Sequence, residues 1–442
     1  MRGGGGGAGA ARLFGRGAAA LARFSLLVPQ PQDPGWPLVP TGVVPNASAL
    51  CSALLSLPSA LRVYTHRLPC RLARTGLLPL IAPSFNRGYP LEAYLVRAIR
   101  RGPFATRNAT HATAFLLPLR PYALRVAAFP GDGLAAVQAR VASTEAWLDA
   151  DGGKSGAAWR RNAGCDHILV STHDKGGRVA AGAHALQSRG ILVASTADTV
   201  PSSAAEEGRY TAGKDVAGIC SFSLALPKWA AWRGACPSVP QPRGAPPRLS
   251  RTHALAFVGG SLGHVRSALF SHFAQHPWPD FAPVHGHVSP SGYMTSLLTS
   301  KFCLHVRGTQ VQSPRLIEAI LFGCVPVIMA DTYDLPLSDV LDWPSFSIRV
   351  PQGSPEMLRP AVEAADYESL SKKVCSVAPF FAYHASPRPG DAFHMTMMEV
   401  FLRLKAPRPG CNGVPLLSPP PFLPIDNATA APPLQPRRLL AT

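Results

Sequence analysis

Arg307, Gly308, Ser313, Pro314, Arg315 and Glu318 fall within twelve positions of one another, and their types suit a phosphate-bearing ligand. Guanidinium groups can bind phosphate oxygens in a bidentate way. Ser313 and Pro314 fit the N-cap and first position of a helix, whose first amides lack intrahelical partners and carry partial positive charge, which favours an anion. Glu318, three residues after Arg315, shares its helix face, and a carboxylate there can accept hydrogen bonds from a ribose diol. The alternative for Glu318 is a solvated helix face. A second glycine-rich turn, Gly259-Gly260-Ser261-Leu262-Gly263, follows an apolar run and precedes Arg266. It reads as a phosphate loop or as a plain turn.

Asp166, His167, His173 and Asp174 form another group of titratable side chains. His167 to Ser171 has the apolar, β-branched character of a strand, so His173 and Asp174 fall at its C-terminal end, the side on which α/β domains bind ligands. Asp166, His173 and Asp174 are therefore candidate catalytic groups. The competing reading is that Asp166 and His167 only cap and hydrogen-bond the strand. Asp149-Ala150-Asp151, a triplet that can hold a divalent ion, ends a helical run beside a glycine-rich loop and is read as a solvated turn. His285 and His287 lack a third ligand and are read as loop residues.

The elements that would position these groups alternate between short apolar strands and helical runs, an α/β pattern. Strands are expected at 62–65, 113–117, 167–171 and 191–194, and again at 254–258, 302–306, 325–329 and 346–350. Gly323 and Cys324 end the helix that begins at Ser313. Five prolines between Pro237 and Pro247 mark a linker, and residues before 61 and after 405 are rich in Gly, Ala or Pro. A chain of 442 residues with 47% hydrophobic content can fill two cores. The expected division is 1–60, a targeting and linker segment; 61–236; a linker, 237–250; 251–405; and a tail, 406–442.

The segment Ser300 to Ile328, S-K-F-C-L-H-V-R-G-T-Q-V-Q-S-P-R-L-I-E-A-I-L-F-G-C-V-P-V-I, resembles the nucleotide-sugar half of the exostosin glycosyltransferases, in their plant cell-wall branch. The resemblance continues through Leu335-Pro336 and Leu341-Asp342-Trp343 to Phe346 and Ser347. Earlier blocks agree in order: Arg62 to Pro69, Tyr89 to Pro118, Trp159 to Asp174, Tyr210 to Val216 and Phe257 to Arg266, with Asp391-Ala392-Phe393 after them. His305-Val306 and Ile219-Cys220 depart from the family, which has a proline near each. The resemblance implies a GT-B architecture, two Rossmann-like domains facing a cleft. It also implies an inverting transfer without an essential metal, from a nucleotide-sugar donor, a UDP-sugar in preference to a GDP-sugar, to a glycan acceptor. Gly260, Arg266, Arg307, Gly308, Ser313, Arg315 and Glu318 would bind the donor, and the first domain would supply the base. A catalytically silent subunit that supports a partner glycosyltransferase is the alternative.

The net charge of +18 raises a nucleic-acid reading, but only 15% of residues are charged and no zinc-finger, RRM or helix-turn-helix pattern is present. No nucleic-acid partner is expected. Nine cysteines show no C-x-x-C spacing, which argues against structural zinc. Cys303 and Cys324 fall in apolar positions and are read as reduced core residues; bridges are left to Cys51, Cys70, Cys220, Cys236, Cys375 and Cys411. The acid-free, arginine-containing N-terminus fits a secretory signal or an organelle transit peptide. Sequons at Asn46, Asn108 and Asn427 favour the secretory route and a Golgi location, in the lumen or at the membrane.

Overall fold

The computed structural model describes residues 42–45, 47–73, 90–127, 133–151, 153–172, 174–200, 210–220, 236, 249–281, 284–286, 288–384, 386–408 and 410–411. The Pro237–Pro247 linker, residues 1–41, His173, His287 and everything after 411 lie outside them. Two parallel sheets organise the chain, in a GT-B-like arrangement. The first runs β2-β1-β3-β4-β5-β6, with β1 Val63–Thr65, β2 Ala105–Thr106, β3 Ala114–Leu117, β4 His167–Ser171, β5 Ile191–Ala194 and β6 Val216–Ala217. The second runs β12-β11-β10-β7, with β7 His253–Ala256, β10 Ser300–Val306, β11 Val325–Met329 and β12 Ile348–Arg349, while β8 Val258–Gly259 pairs with β9 Val284–His285. Each expected strand is present, with bounds shifted by a few residues.

The strands are continuous apolar runs because both faces of a parallel sheet are covered. All of β3, β4, β5 and β11 is buried, and β10 is buried except at Lys301. Strand order in the first sheet reverses between β1 and β3, which opens a crevice at the carboxyl ends of those strands. The helix after β10, Arg315–Leu321, ends at Gly323, whose φ of +66° suits glycine. Cys324 N then bonds Ala319 O at 2.9 Å, and β11 begins.

One stretch of the segment assigned to targeting and linker packs into the fold. Helix Ala47–Ala60 buries Leu50, Leu54 and Leu57 and packs against the last helix, Ala392–Lys405. That last helix returns to the first sheet: Phe393 meets Tyr94 and Phe104, and Arg403 Nε donates to Asp215 O at 2.9 Å. Asp391 starts it by accepting from His394 N at 2.8 Å. Burial pushes the Asp391 carboxyl up, but hydrogen bonds from His384 and His394 outweigh this and hold it below the usual carboxylate range.

The cysteine expectation is corrected. Cys303 and Cys324 are not reduced core residues but form a disulfide, because β10 and the end of the following helix bring their Cα atoms to 5.7 Å. Cys236 pairs with Cys375 as one of the combinations left open, whereas Cys411 pairs with Cys165, which had been given no bridge. Cys70 and Cys220 are free thiols.

The two sheets are joined by a clasp. Arg307, which follows β10, donates from Nη2 to Asp198 Oδ2 at 2.7 Å and from Nη1 to Thr332 Oγ1 at 2.6 Å. Thr332 in turn donates to Asp198 Oδ1 at 2.5 Å. Main-chain bonds extend it, Thr199 N to Thr332 O at 2.9 Å and Asp334 N to Ala197 O at 3.0 Å. The Arg307 and Asp198 side chains are only 9% and 17% exposed, so removing one charge strands the other in a poorly solvated place. Asp198→Ala is expected to lower the unfolding free energy by about 3 kcal/mol, and Asp198→Asn by less, as read from denaturant titrations.

Candidate functional site

Two turns meet at the carboxyl end of the second sheet with no side chain between them. Gly263, at φ +94°, would place a Cβ 2.7 Å from Gly308 O, and a Cβ on Gly308 would fall 2.8 Å from Arg266 Cζ. Only glycine permits that approach. The contact seats Arg266, whose Nε and Nη2 donate to Val306 O at 3.2 and 3.1 Å. Arg315 comes in beside it, donating from Nη1 to Ser313 Oγ at 3.2 Å. A Cβ on Gly259 would fall 2.8 Å from Arg315 Nη2, so that turn too is shaped to the guanidinium. Gly260 lies between these contacts with open space around its Cα.

The Phe257 ring serves both cations. Arg315 Cζ lies 5.4 Å from its centroid and Arg266 Cζ 5.8 Å, within the range of cation–π attraction. Among the described residues neither guanidinium has a carboxylate in salt-bridge range. Burial, and next the neighbouring Arg315 charge, lower Arg266 to about 10. Two positive charges held side by side without an anion are electrostatically costly, and an anionic ligand would relieve the repulsion.

Ser313 does not cap the helix as expected. Pro314 occupies the cap in right-handed conformation with no side-chain cap bond, because the Ser313 hydroxyl is turned to His305 Nδ1 at 3.3 Å. His305 Nε2 faces Val311 O at 2.8 Å. A ring that donates to a carbonyl on one side and accepts from a hydroxyl on the other is neutral. Burial holds His305 down to about 3, and the loop between Arg307 and Arg315 folds around it.

Glu318 is 3% exposed, on the buried face of its short helix rather than a solvated one. Its Oε2 accepts from the Tyr293 hydroxyl at 2.6 Å. Tyr293 belongs to helix Pro290–Thr299 and lines a recess with Phe257, Leu297 and Arg315. Arg307 does not join the arginine pair, since both its edges are engaged in the clasp with Asp198 and Thr332.

In the first half Asp166 and Asp174 are not brought together. Asp166 is fully buried at the amino end of β4, where it accepts from Arg161 at 2.9 Å and pairs with His167 Nδ1 at 2.8 Å. Burial pushes its carboxyl up, and the hydrogen bonds from His167 and Arg161 prevail and hold it low. Asp174 lies beyond the opposite end of the strand, partly exposed, 3.4 Å from Arg125. His173 is outside the described residues. Asp149 and Asp151 are the last turn of a helix rather than a loop, and Asp149 accepts from Trp159 Nε1 at 2.5 Å. Among the described residues no three His, Cys, Asp or Glu side chains converge as a metal site.

Four contributors escaped the sequence reading. His66, at the end of β1, stacks on Phe115 and meets His167 Nε2 through its own Nε2 at 2.8 Å. Glu92, in helix Pro90–Arg101, accepts the Tyr122 amide at 3.1 Å, and burial raises its carboxyl to about 8. Asp198 and Tyr293 complete the set. Only His66 carried a sequence signal, its position at the end of a predicted strand; the others depend on contacts between residues distant along the chain.

A family model, the Exostosin GT47 domain, matches residues 57–364. The chain belongs to the exostosin GT47 family of glycosyltransferases. A probable glycosyltransferase of Arabidopsis thaliana is 27% identical to this GT47 chain over 368 residues, 81% of this chain and 70% of that protein. A second probable glycosyltransferase of the same plant is 29% identical over 250 residues, 55% of this chain and 44% of its own length. A probable beta-1,4-xylosyltransferase of Arabidopsis thaliana is 25% identical over 355 residues, 76% of this chain and 81% of the relative.

The His305 environment generates a pH dependence of defined sign. In the unfolded chain the ring takes up a proton near its ordinary 6.5, in the folded one only near 3. The unfolded state therefore binds more protons between those values. The stability tied to neutral His305 is present above pH 6.5 and lost as the pH falls toward 3. Against a His305→Gln variant, which lacks the titration, the wild-type advantage is expected to shrink by about 2 kcal/mol between pH 7 and pH 5. A gap that stays constant across that range in parallel urea titrations would show that the ring titrates normally.

Proposed function

We propose that this GT47 protein is an inverting glycosyltransferase that moves a sugar from a nucleoside-diphosphate donor, UDP-linked in preference to GDP-linked, to a glycan acceptor. The observation that carries the reading is the Arg266 and Arg315 pair, set on one aromatic ring with no carboxylate partner among the described residues, Arg315 being one turn from Glu318. A diphosphate supplies the missing negative charge, and Glu318 beside it suits the ribose diol. The probable xylosyltransferase among the relatives supports a glycan acceptor and a sugar of that general size.

In such a transfer the bond from the anomeric carbon to the diphosphate breaks while the acceptor oxygen attacks from the opposite face and loses its proton. Charge then grows on the diphosphate oxygens. Two guanidiniums fixed by main-chain carbonyl, serine hydroxyl and aromatic ring need little reorganisation to stabilise it. The acceptor proton goes to a base at the carboxyl ends of the first sheet, where Asp174 is the partly exposed candidate. Asp166, sealed by Arg161 and His167, supports β4 instead. Three disulfides support an oxidising compartment, in line with a Golgi location, and a supporting partner glycosyltransferase fits the same setting.

Arg315→Ala is expected to lower kcat about a hundredfold while weakening donor binding much less, because the charge it meets develops in the transition state. Full turnover with only a raised donor KM would assign Arg315 to uniform binding. Glu318→Gln is expected to weaken UDP binding about tenfold by calorimetry with the melting temperature little changed. Tight UDP binding by the wild type without transfer to any acceptor would instead favour a silent supporting subunit.

A further inference from the structure

Tyr293 is placed by its own helix cap. Ser289 accepts from Gly292 N at 3.1 Å, and Tyr293 N bonds Ser289 O at 2.9 Å. This fixes the first turn so that the ring enters the space between β7, β10 and the Glu318 helix. There the hydroxyl donates to Glu318 Oε2 at 2.6 Å, short for a neutral pair and typical of a charge-assisted bond. Burial, and next the Glu318 charge, raise the phenol well above its ordinary range, so the group is a donor at any working pH. The ring also borders the recess that Phe257, Leu297 and Arg315 line.

Packing does not explain this arrangement. A phenylalanine would fill the same space without burying a hydroxyl, and an apolar residue at 318 would avoid burying a charge. Burying both, in contact, has a purpose if the orientation of the carboxylate matters. The seven-residue helix Arg315–Leu321 fixes the backbone of Glu318, and the orientation of a carboxyl at the end of two methylenes depends on what its oxygens meet. The bond from Tyr293 holds Oε2 in place.

We propose that Tyr293 is a positioning residue that orients the Glu318 carboxylate toward the ribose hydroxyls of the donor and thereby sets a preference for a ribonucleotide over its deoxy counterpart. This rests on the nucleotide reading of the Arg266, Arg315 and Glu318 site. It assigns to Tyr293 a part in selecting the ligand.

The test is calorimetric binding of UDP and of 2′,3′-dideoxyuridine diphosphate to the full-length wild type, Tyr293→Phe, Glu318→Gln and the double variant. Wild type is expected to prefer UDP by about tenfold. Tyr293→Phe should lose most of that preference by weakening UDP alone, with dideoxyuridine diphosphate bound within about twofold of wild type. In the Glu318→Gln background the phenylalanine should change neither affinity further, since there is no carboxylate left to orient. A Tyr293→Phe protein that keeps the full preference, or that weakens both ligands equally with a lowered melting temperature, overturns the proposal and reduces the tyrosine to packing. Wild-type protein that binds both diphosphates equally fails earlier, at the role of Glu318, and removes the proposal with it. A wild-type preference that survives in Glu318→Gln but vanishes in Tyr293→Phe also overturns it, because the tyrosine would then act without the glutamate.

Discussion

Arg307 sits where the two sheets and the candidate site share one residue. Its backbone amide bonds Met329 O at 2.9 Å, which sets the start of the turn that carries Gly308, while its side chain reaches into the first half to bind Asp198. The position of the turn and the relative placement of the sheets are therefore not independent. A shift of the first half against the second would pull on the strand end from which the loop to Arg315 departs. Because the ion pair is mostly buried, slack cannot be taken up by solvent without a large cost. This makes the angle between the sheets a stiff coordinate at this edge of the cleft.

On that frame the site concentrates positive charge where a protein would ordinarily disperse it. Arg266 and Arg315 are kept together by forces that are individually modest: one carbonyl, one hydroxyl, one aromatic face and three glycines that leave room. Each contact is worth about 1 kcal/mol, so the arrangement depends on the surrounding turns being rigid. The disulfide between Cys303 and Cys324 runs beneath the turns, joining β10 to the end of the Glu318 helix. Cys236 and Cys375 close a second bridge against Gly323.

The sequence revealed the strands, the helix end at Gly323 and the nearness of Arg315 to Glu318, because these are written in short-range patterns of apolar runs, glycine and charge, whereas the grouping of Arg266 with them came from the family resemblance. It misassigned Arg307, which has the type and place of a phosphate ligand, because its partner Asp198 is more than a hundred residues away and no local pattern announces it. The same blindness affected Cys303, whose apolar surroundings are equally those of a reduced core cysteine and of a buried disulfide. Ser313 was read as a cap from its type and its proline neighbour, and lost that role to a histidine eight residues earlier. Asp166 and Asp174 look adjacent in sequence but β4 runs between them, so period and parity could not join them.

The return of helix Ala392–Lys405 to the first sheet, sealed by Cys165 and Cys411 across a separation of 246 residues, sets an order of assembly on the ribosome. The first sheet is synthesised early, yet its covering helix and its covalent closure emerge only after the whole second half has been made. During that interval the surfaces of β5 and β6 that the last helix covers stand open, and the nascent chain exposes an apolar flank of the kind that recruits chaperones. A second half that folds promptly would shorten the interval. Slow folding of the second half would thus endanger the first, although the two have separate sheets.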